Sequence, residues 1–173
     1  MITITTLQQI ENQLAVKQDR KPCEIRAGVF PKTFMPVMAM YNRLDNEIIF
    51  NKNIVYDTPE VEAIVTLVHE SRHAYQWDRI NHPKKAIEPK ELLETWKKDF
   101  EHFSVLDRKQ TEDQYLNLSI EIDAIAYTHI TMIALVGEKT VIPEVIKEAV
   151  EARIAVIETT ELPLYAANLG KTS

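Results

Sequence analysis

Apolar residues recur at helical spacing near the start of the chain, where Leu7, Ile10 and Leu14 predict a short amphipathic helix. Lys21-Pro22 and Pro31 then punctuate a stretch that reads as extended. Its clearest part is MAMYNRLDNEIIFN, in which two β-prone runs flank Asp45-Asn46, a two-residue hairpin signal. Ile48, Ile49 and Phe50 would lie in the second strand. Asp57-Thr58-Pro59-Glu60 marks a helix start: Thr58 can cap, Pro59 suits the first helical position, and acids favour the positive end of the helix dipole. The pattern predicts a helix from Pro59 to about Ile80, stopping before Asn81-His82-Pro83. Further helices are predicted from Pro89 through LLETWKKDFEHF, from about Glu112 to Val136, and from Pro143 onward. Gly137 would close the second of these, and Val145, Ile146, Val150, Ile154 and Ile157 would form the apolar side of the third. The tail ELPLYAANLGKTS carries a weaker pattern. The fold class expected is α+β, predominantly helical, with a small antiparallel sheet.

Composition narrows the function classes. The 173 residues suit one domain with its own core, and 45% hydrophobic with 27% charged residues is ordinary for a globular protein. A net charge of −6 and a pI near 5.4 argue against nucleic acid as a partner. Lys84-Lys85 and Lys97-Lys98 are set among acids and read as solvated faces. Cys23 is the single cysteine, so no intramolecular disulfide can form, which fits a reducing compartment. MITITTLQQIENQ lacks the basic and apolar regions of a secretory signal, and the run Ile130 to Val136 is too short to span a bilayer. A cytoplasmic protein without membrane association is expected.

The candidate chemistry lies in VHESRHAYQW, residues 68–77. Helical residues advance by about 100° each, so His69 and His73 point the same way, one turn apart. Two imidazoles so placed can grip one metal ion. Glu70 flanks them, able to reach a water on that ion without ligating it. The ordinary alternative is a helix with two unremarkable histidines. Register speaks against it: Val61, Ile64, Val65 and Val68 define an apolar face, Val65 lies in line with His69 and His73, and Gln76 extends that line. Buried polar groups need partners, and a metal would satisfy both histidines together.

Catalytic zinc sites commonly keep three protein ligands and leave the fourth position for water. The pattern HExxHxxGxxH is excluded, because Gln76 and Arg79 stand at its glycine and third-histidine positions. An acid from a later helix is the alternative, and EIDAIAYTHI offers Glu121 amid apolar residues. Ala124 and Ala126 are small enough to let that helix approach the histidines closely. Asp123 points about 200° away from Glu121 and cannot share one ion with it, leaving a supporting or solvated role. His82, His102, His129 and Asp123 remain alternative third ligands. The bland readings are a turn residue for His82, a solvated residue for His102 and inert packing for Cys23. Tyr41, Tyr75, Trp77 and Trp96 read as core or hairpin anchors. Arg72 could form a salt bridge or contact substrate.

Together, HESRHAYQ and EIDAIAY resemble the zincin metallopeptidases of the gluzincin type, which pair HExxH with a downstream glutamate. The second segment is also similar to the E-x-x-A-x-x-[FY] pattern of ImmA/IrrE-type peptidases and of membrane CAAX-processing peptidases. In that pattern the first glutamate is the metal ligand. The resemblance implies Glu121 as ligand, with Ala124 at the alanine and Tyr127 at the aromatic position. Ile125 departs from it, standing where aspartate or asparagine is often found, and Arg72 with Gln76 gives HExRHxxQ rather than the commoner HExGH. The likeness covers roughly residues 37–136, including MYNRLDNEIIFN in the slot where zincins usually place a hairpin edge strand.

The resemblance implies one zincin-like domain over residues 1–173, with a 37–136 core and elaborations at 1–36 and 137–173. It implies Zn2+ held by His69, His73 and Glu121, with Glu70 as general base on its water. Arg72, Gln76, Asp123 and Tyr127 would support the site or meet substrate. The substrate would be a peptide or protein, extended and added as a strand near Ile48 to Phe50. Two alternatives stand beside it: a zinc-binding interaction protein without hydrolytic activity, and a narrow regulatory protease that cuts one partner.

Overall fold

The computed structural model describes residues 2–30, 37–103 and 112–163. These residues are predominantly helical with one small sheet, an α+β arrangement, and they form two compact units. The first runs to Tyr75 and the second begins at Gln76, so the boundary falls inside one continuous helix.

The first unit holds α1 (Ile4–Lys17), β1 (Glu24–Gly28), β2 (Ala39–Asn42), β3 (Glu47–Asn51) and the first turns of α2 (Glu60–Asn81). Thr3 caps α1, its hydroxyl accepting the Thr6 N–H at 3.1 Å. The sheet is mixed rather than antiparallel: β3 lies in the middle, antiparallel to β2 and parallel to β1. Segment 24–28, although outside the recognisable hairpin, therefore completes the sheet. Ile48, the residue that was to sit on an edge, pairs with Ile25 on one side and Tyr41 on the other. The run Ile48 to Phe50 is thus the central strand and offers no edge to a substrate.

The hairpin turn spans Arg43 to Asn46, four residues rather than two. Asn42 starts it, its side-chain oxygen accepting the Leu44 N–H at 3.1 Å. Asn46 ends it at φ 56°, a left-handed conformation that asparagine tolerates better than most residues. Gly28 at the end of β1 has a packing reason: an added Cβ would lie 2.7 Å from the Ile49 side chain.

Alternation puts Ile25, Ala39, Ile48 and Phe50 on one face of the sheet. They share a core with Leu7 of α1 and with Ala63, Leu67 and Ala74 of α2. The face of α2 matches the expected one in part: Val68 is buried and Ile64 packs against this core. Val61 is 38% exposed, and Ala63 and Leu67 carry the packing instead. Beneath the helix is a buried ion pair. Arg20 donates from Nη1 to Glu11 Oε1 at 2.7 Å, with both side chains at most 1% exposed. Arg20 also donates to Gln18 Oε1 at 2.6 Å and to the Ser71 hydroxyl on α2 at 2.5 Å, while Glu11 accepts the Cys23 N–H at 2.8 Å.

The second unit holds the last turns of α2, then α3 (Lys90–Phe103), α4 (Glu112–Leu116), α5 (Ser119–Val136), a 3-10 turn at Glu144–Ile146 and α6 (Lys147–Thr160). The helix expected over 112–136 breaks at Asn117-Leu118. Asn117 turns its side chain back onto the Asp113 carbonyl at 2.7 Å, and Leu118 is extended at ψ 139°. Asp99 of α3 restarts the helix by accepting the Ile120 N–H at 3.3 Å. Burial raises the pKa of this carboxyl, and the Ile120 and Ser119 amides oppose the rise. Gly137 closes α5 in the left-handed conformation, φ 74°. As a whole, α5 is long and apolar enough to cross a membrane, yet 56% of it is buried within the protein. That is the character of a core helix. Along the 3-10 turn and α6, Ile146, Val150 and Ile157 are buried, but Val145 of the turn points outward at 54% exposure.

Removing one partner of a buried ion pair leaves the other charge desolvated and uncompensated. Arg20→Met should lower unfolding stability by about 3–5 kcal/mol in a denaturant titration. A loss below about 1 kcal/mol, the range of exposed pairs, would contradict the described role.

Candidate metal centre

Two turns of α2 present the histidines. His69 is half-buried and His73 buried, and their Nε2 atoms stand 3.1 Å apart with the rings nearly perpendicular at 86°. Two nitrogens bound to one tetrahedral ion at about 2.0–2.1 Å must lie about 3.3 Å apart. The observed spacing is close to that value. The same distance admits an N–H···N hydrogen bond when one ring is protonated on Nε2. Either way the two rings converge with these nitrogens foremost, which helical spacing alone does not ensure.

Glu70 stands on the adjoining flank. Its Oε2 accepts the Tyr41 N–H of β2 at 2.7 Å. This contact follows from the ladder of the hairpin. Met38 O accepts the Asn51 N–H at 2.7 Å, so residues 38, 40 and 42 turn their backbone groups toward β3. Ala39 and Tyr41 then point theirs to the outer edge, where Glu70 meets one of them. Nothing in the sequence signals this bond, since it depends on the phase of the strand.

The remaining candidates sort by their contacts. Arg72 is fully buried, its guanidinium carbon 4.1 Å from the Tyr75 ring centroid, a cation–π stack that sequence reasoning did not anticipate. In the second unit, Gln76 donates from Nε2 to the Ile120 carbonyl at 2.9 Å and to Asp123 Oδ2 at 2.7 Å. Glu121 is buried at 2% exposure in the first turn of α5, between those two partners in sequence. Asp123 is also buried and accepts from Arg153 Nε at 2.6 Å, which removes the solvated role considered for it. Tyr127 is buried one turn further along α5. Arg153 was missed by sequence reasoning. Its only signal is a lone cation on the apolar side of α6.

The alternative histidines are held elsewhere. His82 Nδ1 lies 3.0 Å from the Asp78 carbonyl, His102 is exposed with Nδ1 2.7 Å from the Lys98 carbonyl, and His129 Nδ1 lies 3.0 Å from the Thr140 hydroxyl. Cys23 is buried, and burial is the main cause that pushes its thiol up to about 12. No family model, curated protein or solved structure matches the chain.

The thiol gives a pH prediction. The folded state holds Cys23 neutral up to about pH 12, whereas the unfolded chain releases the proton near the thiol's ordinary value of 9.0. Stability from this group is therefore complete below pH 9 and declines as pH rises between the two values. Native protein at pH 8.5 should resist alkylation by iodoacetamide, and denatured protein should react. Rapid native labelling would show the thiol to be accessible and ionised.

Proposed function

We propose that the protein is a zinc-dependent metallopeptidase of zincin type, in which His69, His73 and Glu121 hold the ion and Glu70 acts as general base. What supports this reading is the convergence of the His69 and His73 Nε2 atoms to 3.1 Å, with Glu70 held beside them by the Tyr41 amide and a buried glutamate, Glu121, opening α5 in the acidic segment. Two imidazoles and one carboxylate are the donor set of a hydrolytic zinc site, with a fourth position left for water. When bound, the ion would lower the pKa of that water and polarise the scissile carbonyl.

The chain's own groups supply the rest. Glu70 takes the proton of the attacking water and delivers it to the leaving amine. The Tyr41 amide fixes one of its oxygens, so the carboxylate is oriented before substrate arrives. A peptide in extended form would lie along the outer edge of β2, where Ala39 turns its N–H and carbonyl and Tyr41 its carbonyl, rather than along β3. The substrate would be a peptide or protein, and a single buried thiol suits a reducing, cytoplasmic setting.

One observation favours a second reading, a zinc-binding interaction protein without hydrolysis. The bond from Tyr41 to Glu70 could serve only to tie α2 to the sheet. Glu70→Gln separates the two. Under the peptidase reading it should retain zinc and lose at least about a hundredfold in peptide hydrolysis, the scale of general base catalysis. Cleavage undiminished in that variant would sink the mechanism. Zinc uptake with no cleavage of any peptide library by wild type would favour the interaction protein.

A further inference from the structure

A buried chain of polar contacts runs behind the carboxylate assigned as third ligand. Gln76 Nε2 contacts both the Ile120 carbonyl and the Asp123 carboxylate, one residue before Glu121 and two after it. A side-chain amide nitrogen has two hydrogens, and here both bracket Glu121. Asp123 turns its other oxygen to Arg153 Nε at 2.6 Å. Arg153 Nη2 in turn reaches Glu161 Oε1 at 3.1 Å and lies 3.9 Å from Glu88 Oε1. Gln76, Asp123 and Glu161 are each no more than 1% exposed. Such a network is satisfied only in one arrangement of α2, α5 and α6, so it fixes register more sharply than apolar packing does.

Glu121 sits in the first turn of α5, where the N-cap residue Leu118 offers no side-chain cap and Asp99 of α3 meets the Ile120 N–H at 3.3 Å. Helix ends fray, and a frayed first turn would displace the carboxylate assigned as ligand. The bracket holds that turn. Asp123 points about 200° from Glu121, so it can anchor the turn without competing for the ion. Arg153 completes the bracket by holding the Asp123 carboxylate in place and balancing its charge in a dry setting.

We propose that Gln76, Asp123 and Arg153 are positioning residues for Glu121, setting metal affinity through the first turn of α5. This rests on the metal site read above. None of the three is an assigned ligand, and Arg153 lies on a helix that supplies none, so a change in zinc affinity at Arg153 would have no direct cause.

The test is zinc affinity, measured on the full chain by competition with a chromogenic chelator, alongside thermal unfolding of the metal-free protein. Arg153→Met and Asp123→Asn should each weaken zinc binding about tenfold or more, the usual effect of removing groups that orient a ligand. Arg153→Lys keeps the charge but not the fork, and should fall between wild type and Arg153→Met. Val150→Ala, buried on the same helix, should lower the melting temperature and leave zinc affinity unchanged. Should Arg153→Met fail to fold, Arg153→Lys and Asp123→Asn carry the comparison. Wild-type affinity in both, with binding abolished in His69→Ala, would overturn the positioning role and leave the metal site standing. The same holds if Val150→Ala weakens binding as much as they do. Absence of zinc uptake by wild type would overturn the site and the positioning role together.

Discussion

Helix α2 places polar side chains where water cannot serve them, and each must find a partner within the protein. Ser71 is met by Arg20, which is itself held by the buried Glu11. Gln76 is met by Asp123 and the Ile120 carbonyl. Glu70 accepts an outward amide of β2, and His69 and His73 turn their nitrogens toward each other. An apolar helix in this place would pack as well and require none of these contacts. The polar load of α2 therefore explains why a hairpin, an N-terminal helix and two later helices are built as they are.

That requirement links fold to chemistry. The parallel pairing of β1 with β3 puts Cys23 next to Glu11, so the strand and the ion pair support one another. The phase of β2 decides that Tyr41, and not Met40, offers its amide to Glu70. Shifted by one residue, the strand would present its paired face and leave the carboxylate without that donor.

Much of the secondary structure was legible. Periodicity and punctuation locate α1, the hairpin, α2, α3 and the end of α5, because proline, asparagine and glycine act locally. What was not legible depends on distant partners. The break at Asn117-Leu118 comes from side chains capping carbonyls and amides, which hydrophobic spacing cannot register. The mixed sheet escaped because β1 is short and its partner lies across an intervening strand. The apolar face of α2 was legible in part: Val68 and Ile64 pack inward as expected, but Val61 is exposed and Ala63 and Leu67 join the core instead. At the candidate site, the pentapeptide and the acidic segment were visible as motifs. Arg153 and Arg20 were not, since a cation that pairs with an acid far along the chain looks like any surface charge.

The central claim is that His69, His73 and Glu121 form one metal site. Zinc K-edge absorption on the protein loaded with one equivalent of zinc tests it most directly. The account predicts a four-coordinate shell of nitrogen and oxygen at about 2.0–2.1 Å, with outer-shell scattering from two imidazoles. A shell of six oxygens, or one without imidazole scattering, would contradict it.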